Sequence, residues 1–343
     1  MQREIEMRAD EFDSMVNTIY FGGGTPSLLR SSEISEIINK LSVHFTIAKN
    51  AEVSLEANPD DLNREKLQEL YNAGINRLSI GIQSLNDRSL KWMNRAHNCA
   101  EARSCIADAI ELGFDNISID LIYGLPNLTL KEWEDEINEI LSFNIQHISA
   151  YCLTVEPETA LGHRVKKGKE KPVDEESANE QFQILVELLE QNGMEQYEVS
   201  NFGKPGFYSR HNTSYWKGVP YLGLGPSAHS YSSGKRSWNI ANNARYIKSI
   251  NEDKLPISTE NLSDKDQINE YIMTGLRTIW GIDLDVLKNE FGYDLKAEYS
   301  ELLEELIEKS LVKLEGAKLT LTKAGLFLAD GIASDFFILE HDY

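Results

Sequence analysis

The chain is poor in cysteine, in positive charge and in long apolar runs. It has three cysteines, Cys99, Cys105 and Cys152. An odd, sparse set is no disulfide framework, and spacings of 6 and 47 residues match no common metal-ligand pattern. Each thiol reads as a small buried or half-buried side chain. Lys and Arg number 34 against 55 Asp and Glu, a net charge of −21. That balance lacks the basic footprint of a general nucleic-acid binder and reads as a solvated, soluble surface. No stretch approaches the roughly 18 apolar residues of a spanning helix. Met1–Asp10 alternates charges and forms no signal peptide, so a cytoplasmic protein is expected.

What is present is ordinary for a globular chain: 41% hydrophobic and 26% charged residues. At 343 residues the length suggests one large α/β domain and a smaller one. The organising stretch is Asn17-Thr18-Ile19-Tyr20-Phe21-Gly22-Gly23-Gly24-Thr25-Pro26. An apolar strand runs into three glycines, the residue used where a backbone must approach a ligand closely. The same grammar recurs. Strands are predicted at Val16–Phe21, Ala51–Leu55, Asn76–Ile82, Asn116–Ile122 and Gln146–Leu153. Helices are predicted after them: one capped by Ser31 or Ser32, Asn63–Ala73, about Asp87–Leu112, and Leu130–Phe143. Such alternation means parallel strands with helical crossovers, in a barrel or an open doubly wound sheet. The barrel is favoured because polar residues close every strand rather than one switch point.

Residues 158–176 read as an exposed Lys/Gly/Glu-rich loop, Asp174–Gln191 as an amphipathic helix and Glu195–Val199 as a short strand. Asn201–Tyr231 reads as a long aromatic loop, and loops of that length are usually functional. From Asn261 the chain restarts with helices at Asp264–Thr278, Leu284–Glu290 and Leu295–Glu308, a β-wing over 311–322 and a helix at Lys323–Phe336. A winged-helix-like unit usually suggests DNA, but the acidic balance favours a packing or lid role. The expected boundaries are 1–200 for the barrel, 201–260 for the aromatic and glycine-rich linker region, and 261–343 for the C-terminal domain.

In a parallel barrel the strand ends share one mouth. That gathers Gly22–Gly24, Glu56, Gln83, Asp120 and Thr154, with Arg95 just into the following helix. Glycines expose backbone, the two acids accept from hydroxyls or an ammonium, and Arg95 grips a carboxylate. The set suits a zwitterionic nucleoside. Any one strand-end acid alone is most simply a cap or a surface acid; only the collective pattern carries weight.

Phe21-Gly22-Gly23-Gly24-Thr25-Pro26, Glu56-Ala57-Asn58-Pro59, Gly81-Ile82-Gln83-Ser84, Asn94-Arg95, Asp120 to Pro126 and Gly223-Leu224-Gly225-Pro226-Ser227-Ala228 closely resemble the anaerobic coproporphyrinogen III oxidase family of radical S-adenosylmethionine (SAM) proteins. His211-Asn212-Thr213-Ser214-Tyr215-Trp216 matches the HNxxYW motif of that family's HemW-type heme chaperones. The resemblance covers nearly the whole chain. It implies a partial (β/α)6 barrel with SAM at its mouth and a C-terminal domain closing over it. It also implies SAM contacts at Gly22, Gly23, Gly24, Thr25, Glu56, Gln83, Arg95, Asp120 and Thr154. For a chaperone it implies heme at His211, Tyr215 and Trp216, and a hemoprotein acceptor such as a membrane-associated respiratory protein. His229 is more simply a structural side chain.

The departure is the family's CxxxCxxC, which holds a [4Fe-4S] cluster; these 343 residues lack it. Two readings remain open: a truncated chain whose partial barrel lacks its first strand and the cysteine loop after it, or a clusterless relative. Either way no radical chemistry is expected of these residues alone. The alternative function is oxygen-independent coproporphyrinogen III oxidation, which needs that cluster. A generic barrel binding a sugar phosphate leaves the Glu56, Gln83, Arg95 and Asp120 set unexplained.

Overall fold

The computed structural model describes residues 1–126 and 128–339. It opens with α1 (Gln2–Met7) and continues as β1 (Val16–Phe21), α2 (Ser31–His44), β2 (Ile47–Ala57), α3 (Arg64–Asn72), β3 (Arg77–Gln83), α4 (Asp87–Trp92), α5 (Cys99–Glu111), β4 (Ile117–Tyr123), α6 (Leu130–Ser142) and β5 (His147–Cys152). α7 (Ala160–Lys166) and α8 (Glu175–Gln191) lead to β6 (Glu195–Glu198) and β7 (Asn201–Gly203). The sheet order is β1-β2-β3-β4-β5-β7-β6. Its first five strands are parallel, and β7 and β6 close it antiparallel. The result is the curled half-barrel expected from the β–α period.

Strand alternation divides the sheet into two chemistries. One face carries Val53, Leu55, Leu78, Ile80, Ile119, Leu121 and Ile148, packed with Leu70 of α3, Ile106 of α5, Trp133 of α6 and Leu185 of α8 into one apolar core. The other face carries Thr18 and Tyr20 of β1, Glu52, Ser54 and Glu56 of β2, Arg77 and Ser79 of β3, Ser118 and Asp120 of β4, and His147 and Ser149 of β5. A parallel strand covered on both sides by helices would be apolar throughout. Here the inner face is polar because it lines a lumen.

Beyond the sheet come α9 (Arg210–Trp216), the antiparallel strands β8 (His229–Ser232) and β9 (Lys235–Asn239), α10 (Asn243–Asn251) and β10 (Ile257–Asn261). The buried Glu4 of α1 ties this region down. Its carboxylate accepts from the Gly225 amide at 2.8 Å and Asn239 Nδ2 at 2.6 Å. The C-terminal unit holds α11 (Asp264–Leu276), β11 (Ile282–Asp283), α12 (Leu284–Phe291), α13 (Leu295–Glu298), α14 (Ser300–Glu308), β12 (Val312–Glu315), β13 (Lys318–Leu321), α15 (Lys323–Leu326) and α16 (Ala329–Asp335). It is built around its own apolar cluster, including Ile272, Leu303 and Phe336.

Several local expectations need correction. The region from Asp87 to Leu112 is two helices, not one: Asn94 adopts a left-handed φ of 57° and ends the first. Arg95 therefore lies in the connection between α4 and α5, not inside a helix. The Lys/Gly-rich stretch contains α7, whose Thr159 cap accepts from the Gly162 amide at 3.1 Å. The predicted aromatic loop contains β7, α9 and β8. α2 begins after Arg30 rather than after a serine cap; Glu33 accepts from the Arg30 amide at 2.9 Å.

Candidate functional site

The mouth of the half-barrel is built from the C-terminal ends of its strands. At the end of β1, Gly23 and Gly24 have φ of 74° and 67°, a region that costs other residues strain. Gly22 is held for another reason: a Cβ there would lie 2.4 Å from the Tyr20 ring and 3.0 Å from Glu56 Oε1. Glu56 is the hub. It accepts from the Tyr20 hydroxyl at 2.7 Å and from the Gly23 amide at 3.1 Å. One carboxylate thus fixes the glycine loop to the neighbouring strand.

Gln83 ends β3 with a φ of 67°. Outside helix ends and turns, non-glycine residues rarely adopt that conformation. Arg95 donates through Nη2 to Asn58 Oδ1 at 2.7 Å and to the Gly81 carbonyl at 3.2 Å. Its Nε is buried with no partner. A buried guanidinium donor left open is costly unless a ligand takes it.

Asp120 of β4 accepts from Ser79 Oγ at 3.1 Å on each oxygen. Burial pushes its carboxyl up to about 7, and the nearby Glu56 charge adds to this against the Ser79 hydrogen bond. Such a group is poised to ionise when a cation arrives. Thr154 lies exposed on the loop that follows β5, where Oγ1 donates weakly to the Cys152 carbonyl at 3.4 Å. Thr25 follows the glycines and precedes a single 3-10 turn over Pro26–Leu28.

Cys99 and Cys105 are buried on α5, and Cys152 sits exposed at the end of β5. These three thiols do not fit an iron–sulfur cluster. Among the described residues no three His, Cys, Asp or Glu side chains come together to hold a metal. The mouth residues do fit a zwitterionic nucleoside, with open backbone at Gly23 and Gly24, an unsatisfied guanidinium nitrogen and a readily ionised acid.

The HNxxYW segment is α9, and it lies against β1. Glu52 of β2, 4% exposed, accepts from the amides of Arg210 at 3.1 Å and His211 at 3.0 Å. A carboxylate on the first turn of a helix satisfies its open amides and its dipole together. His211 stacks on Tyr20 at 4.5 Å between centroids and 10° between planes. Its Nδ1 lies 3.0 Å from Thr18 Oγ1, and its Nε2 lies 2.8 Å from the Tyr215 hydroxyl. Burial lowers the ring's pKa to about 4, so the imidazole is neutral. His211 and Tyr215, one helical turn apart, both line a groove of about 450 Å³ along β1.

Trp216 does not join them among that groove's lining residues. Arg277 lies over its ring at 5.7 Å, and its Nε1 is buried without a partner. His229 lines the groove and stacks on Trp238 at 6.0 Å. Sequence reasoning missed Tyr20, Glu52 and Thr18. Period-two alternation from Glu56 reaches Glu52, and from Phe21 separates Tyr20 and Thr18 onto the polar face. Which strand residue meets α9, however, is a contact across 193 residues for Thr18.

A radical SAM superfamily model matches residues 2–140, and a HemN C-terminal domain model matches residues 262–328. With the curled parallel sheet, these define a radical SAM-type protein. The heme chaperone HemW of Bacillus subtilis (strain 168) is 35% identical over 323 residues, 94% of this chain and 85% of that protein. HemW of Lactococcus lactis subsp. lactis (strain IL1403) is 32% identical over 97% of this chain and 89% of that protein. HemW of Mycobacterium tuberculosis (strain ATCC 25618 / H37Rv) is 32% identical over 97% and 84%. The chain belongs to the HemW family. The solved coproporphyrinogen III oxidase (HemN) from Escherichia coli superposes with a TM-score of 0.83 over 98% of this chain and 81% of that one, at 24% identity, which carries the fold alone. The family implies SAM and a [4Fe-4S] cluster as cofactors. Among the described residues no helix is long and apolar enough to cross a membrane.

Proposed function

We propose that this chain binds heme and hands it to a hemoprotein, and that its strand-end mouth binds SAM. The observation that carries the heme half is the state of His211. Iron takes a neutral imidazole, oriented by a hydrogen bond from its other nitrogen. His211 is held neutral by burial, and Thr18 and the Tyr20 ring fix its plane. With Nδ1–H donating to Thr18, Nε2 accepts from the Tyr215 hydroxyl. Tyr215 is 40% exposed, so that hydroxyl is a displaceable partner. Iron replaces it at Nε2, and Tyr215 offers the porphyrin a flat face. Trp216 acts from the other side of α9, by packing beneath Arg277.

At the mouth, Gly22–Gly24 and Thr25 take the methionyl amine, Arg95 takes its carboxylate, and Glu56, Gln83, Asp120 and Thr154 contact the remaining polar groups. SAM supplies a sulfonium and, where a cluster reduces it, a radical precursor. This chain's residues bind and orient it. The first domain boundary falls after β7 rather than at residue 200, because Asn201–Gly203 belongs to the barrel sheet; with a second near residue 260 it separates the barrel, the α9 to β10 region that carries the heme helix, and the C-terminal unit.

The test is a titration of the 343-residue chain with hemin, followed by mixing with an apo-hemoprotein. A Soret band that shifts on binding, weakens at least about tenfold in His211→Ala, and moves to the acceptor supports the proposal. Hemin binding that His211→Ala leaves unchanged would sink the ligand assignment. A loaded chain that never surrenders its heme would sink delivery.

A further inference from the structure

We propose that Arg210, Lys217 and Trp280 form a carboxylate-binding end to the heme site, gripping the propionate groups of the porphyrin. This rests on the heme reading above and extends it to residues outside the HNxxYW segment.

A second cavity, of about 370 Å³, lies beside the groove along β1. Asn17, Thr18, Ser214 and Val219 line both. The two spaces therefore adjoin at these four residues. α9 divides its faces between them. Arg210, Thr213, Ser214 and Lys217 recur at helical spacing and line the second cavity, while His211 and Tyr215 face the groove.

The second cavity is chemically unlike the rest of the surface. The chain has 55 acidic residues, yet no Asp or Glu is among the described residues lining this cavity. Its charged members are both cations, and neither is in an ion pair with a described residue. Arg210 Nη1 donates only to the Asn50 carbonyl, at 2.6 Å. That leaves most of its fork of donors open. The Lys217 ammonium lies 4.3 Å above the Trp280 ring. A cation over an indole is held in place without being neutralised. Tyr208, edge-on to Trp280 at 6.3 Å between centroids and 69° between planes, completes an aromatic wall. Two unneutralised cations beside flat rings, in a strongly acidic protein, suit a planar ligand with carboxylates at one edge. Heme is such a ligand: its iron meets His211 from the groove while its propionates reach past the shared residues to Arg210 and Lys217.

The experiment compares hemin with hemin dimethyl ester, whose carboxylates are blocked, on wild type, Lys217→Glu, Arg210→Glu and Lys217→Arg. Hemin affinity should fall about tenfold for each charge reversal and survive in Lys217→Arg. The ester should bind wild type more weakly than hemin and ignore all three substitutions. Hemin binding that both charge reversals leave unchanged overturns this inference alone, as does equal affinity of wild type for hemin and its ester. Failure of wild type to bind hemin at all removes the heme reading and this inference with it.

Discussion

The Tyr20 ring lies parallel to the His211 imidazole, 4.5 Å away, while its hydroxyl donates to Glu56 at 2.7 Å. One side chain of β1 thus touches both candidate sites: the heme helix through its face and the strand-end mouth through its edge. The two contacts separate by mutation. Tyr20→Phe keeps the stack and removes the hydrogen bond. It should cost about 1.5–2 kcal/mol, the lower end for a bond to a charged acceptor at a half-buried site, and leave the hemin Soret position unchanged. Tyr20→Ala removes both and opens a cavity beneath His211. It should cost about 3 kcal/mol and shift the Soret band. Urea unfolding with parallel hemin spectra distinguishes them; a shifted Soret band in Tyr20→Phe would contradict the division.

Glu52 predicts a different failure. It is a buried carboxylate from β2 capping a helix that begins 158 residues later. Replacing it with Ala strands the Arg210 and His211 amides, at a cost of about 2 kcal/mol. Because α9 has only seven residues, it holds little helical stability of its own. Glu52→Ala should therefore raise hydrogen exchange across 210–216 while β2 to β5 stay protected. Uniform destabilisation, with no preference for α9, would show that the helix is held by its other contacts.

The same residues show what a sequence can reveal about this molecule. The parallel strands were legible because short apolar runs such as Val16–Phe21 and Ile117–Tyr123 alternate with helical segments, which Gly74, Gly113 and Gly193 close at positive φ. The strand-end set was legible because a parallel sheet brings C-terminal ends together whatever the loops do. α9 was not: seven residues span two turns, too few for a periodicity, and its Ser209 cap is one serine in a loop-like stretch, while the carboxylate on its first turn, Glu52, lies far away in sequence. α7 was hidden because its seven residues include Gly162 and run straight into the lysine-rich stretch Lys166–Lys171, which reads as a loop. The extent of β2 was underestimated because Lys49 and Asn50 look like a turn, although the strand already runs beside β1 from Ile47. The role of Glu4 was invisible, since its partners lie 221 and 235 residues away.

Arg277 couples the C-terminal unit to the barrel. Its guanidinium meets Glu198, 1% exposed, at 3.0 Å, lies over Trp216, and reaches Asp330 of α16. Glu198 also accepts from the Ser200 amide at 3.0 Å. Removing one partner of a buried pair leaves the other charge uncompensated, so Arg277→Ala should cost about 3–5 kcal/mol. The loss should fall on the junction. Calorimetry should resolve one cooperative transition in wild type into two in the variant. A single transition, merely lowered, would place the coupling elsewhere, in the apolar contacts between the units.

Asp120 gives the pH prediction, and its sign is opposite to that of a salt-bridged acid. Burial lifts its pKa from the ordinary 3.8 to about 7 in the folded protein. Below about pH 4 the group is protonated folded or unfolded and contributes nothing. Above about pH 7 it is ionised in both states, and the folded state carries the full cost of burying the charge. Wild type should therefore lose stability relative to Asp120→Asn as pH rises from about 4 to about 7, by at most about 4 kcal/mol. SAM binding should run the other way. The sulfonium and amine favour the carboxylate, so affinity should climb from about pH 6 to about pH 8 in wild type and stay flat in Asp120→Asn. Stability curves and SAM titrations across that range test both halves. A variant whose stability tracks wild type at every pH would mean that Asp120 is solvated at the mouth and titrates as an ordinary acid.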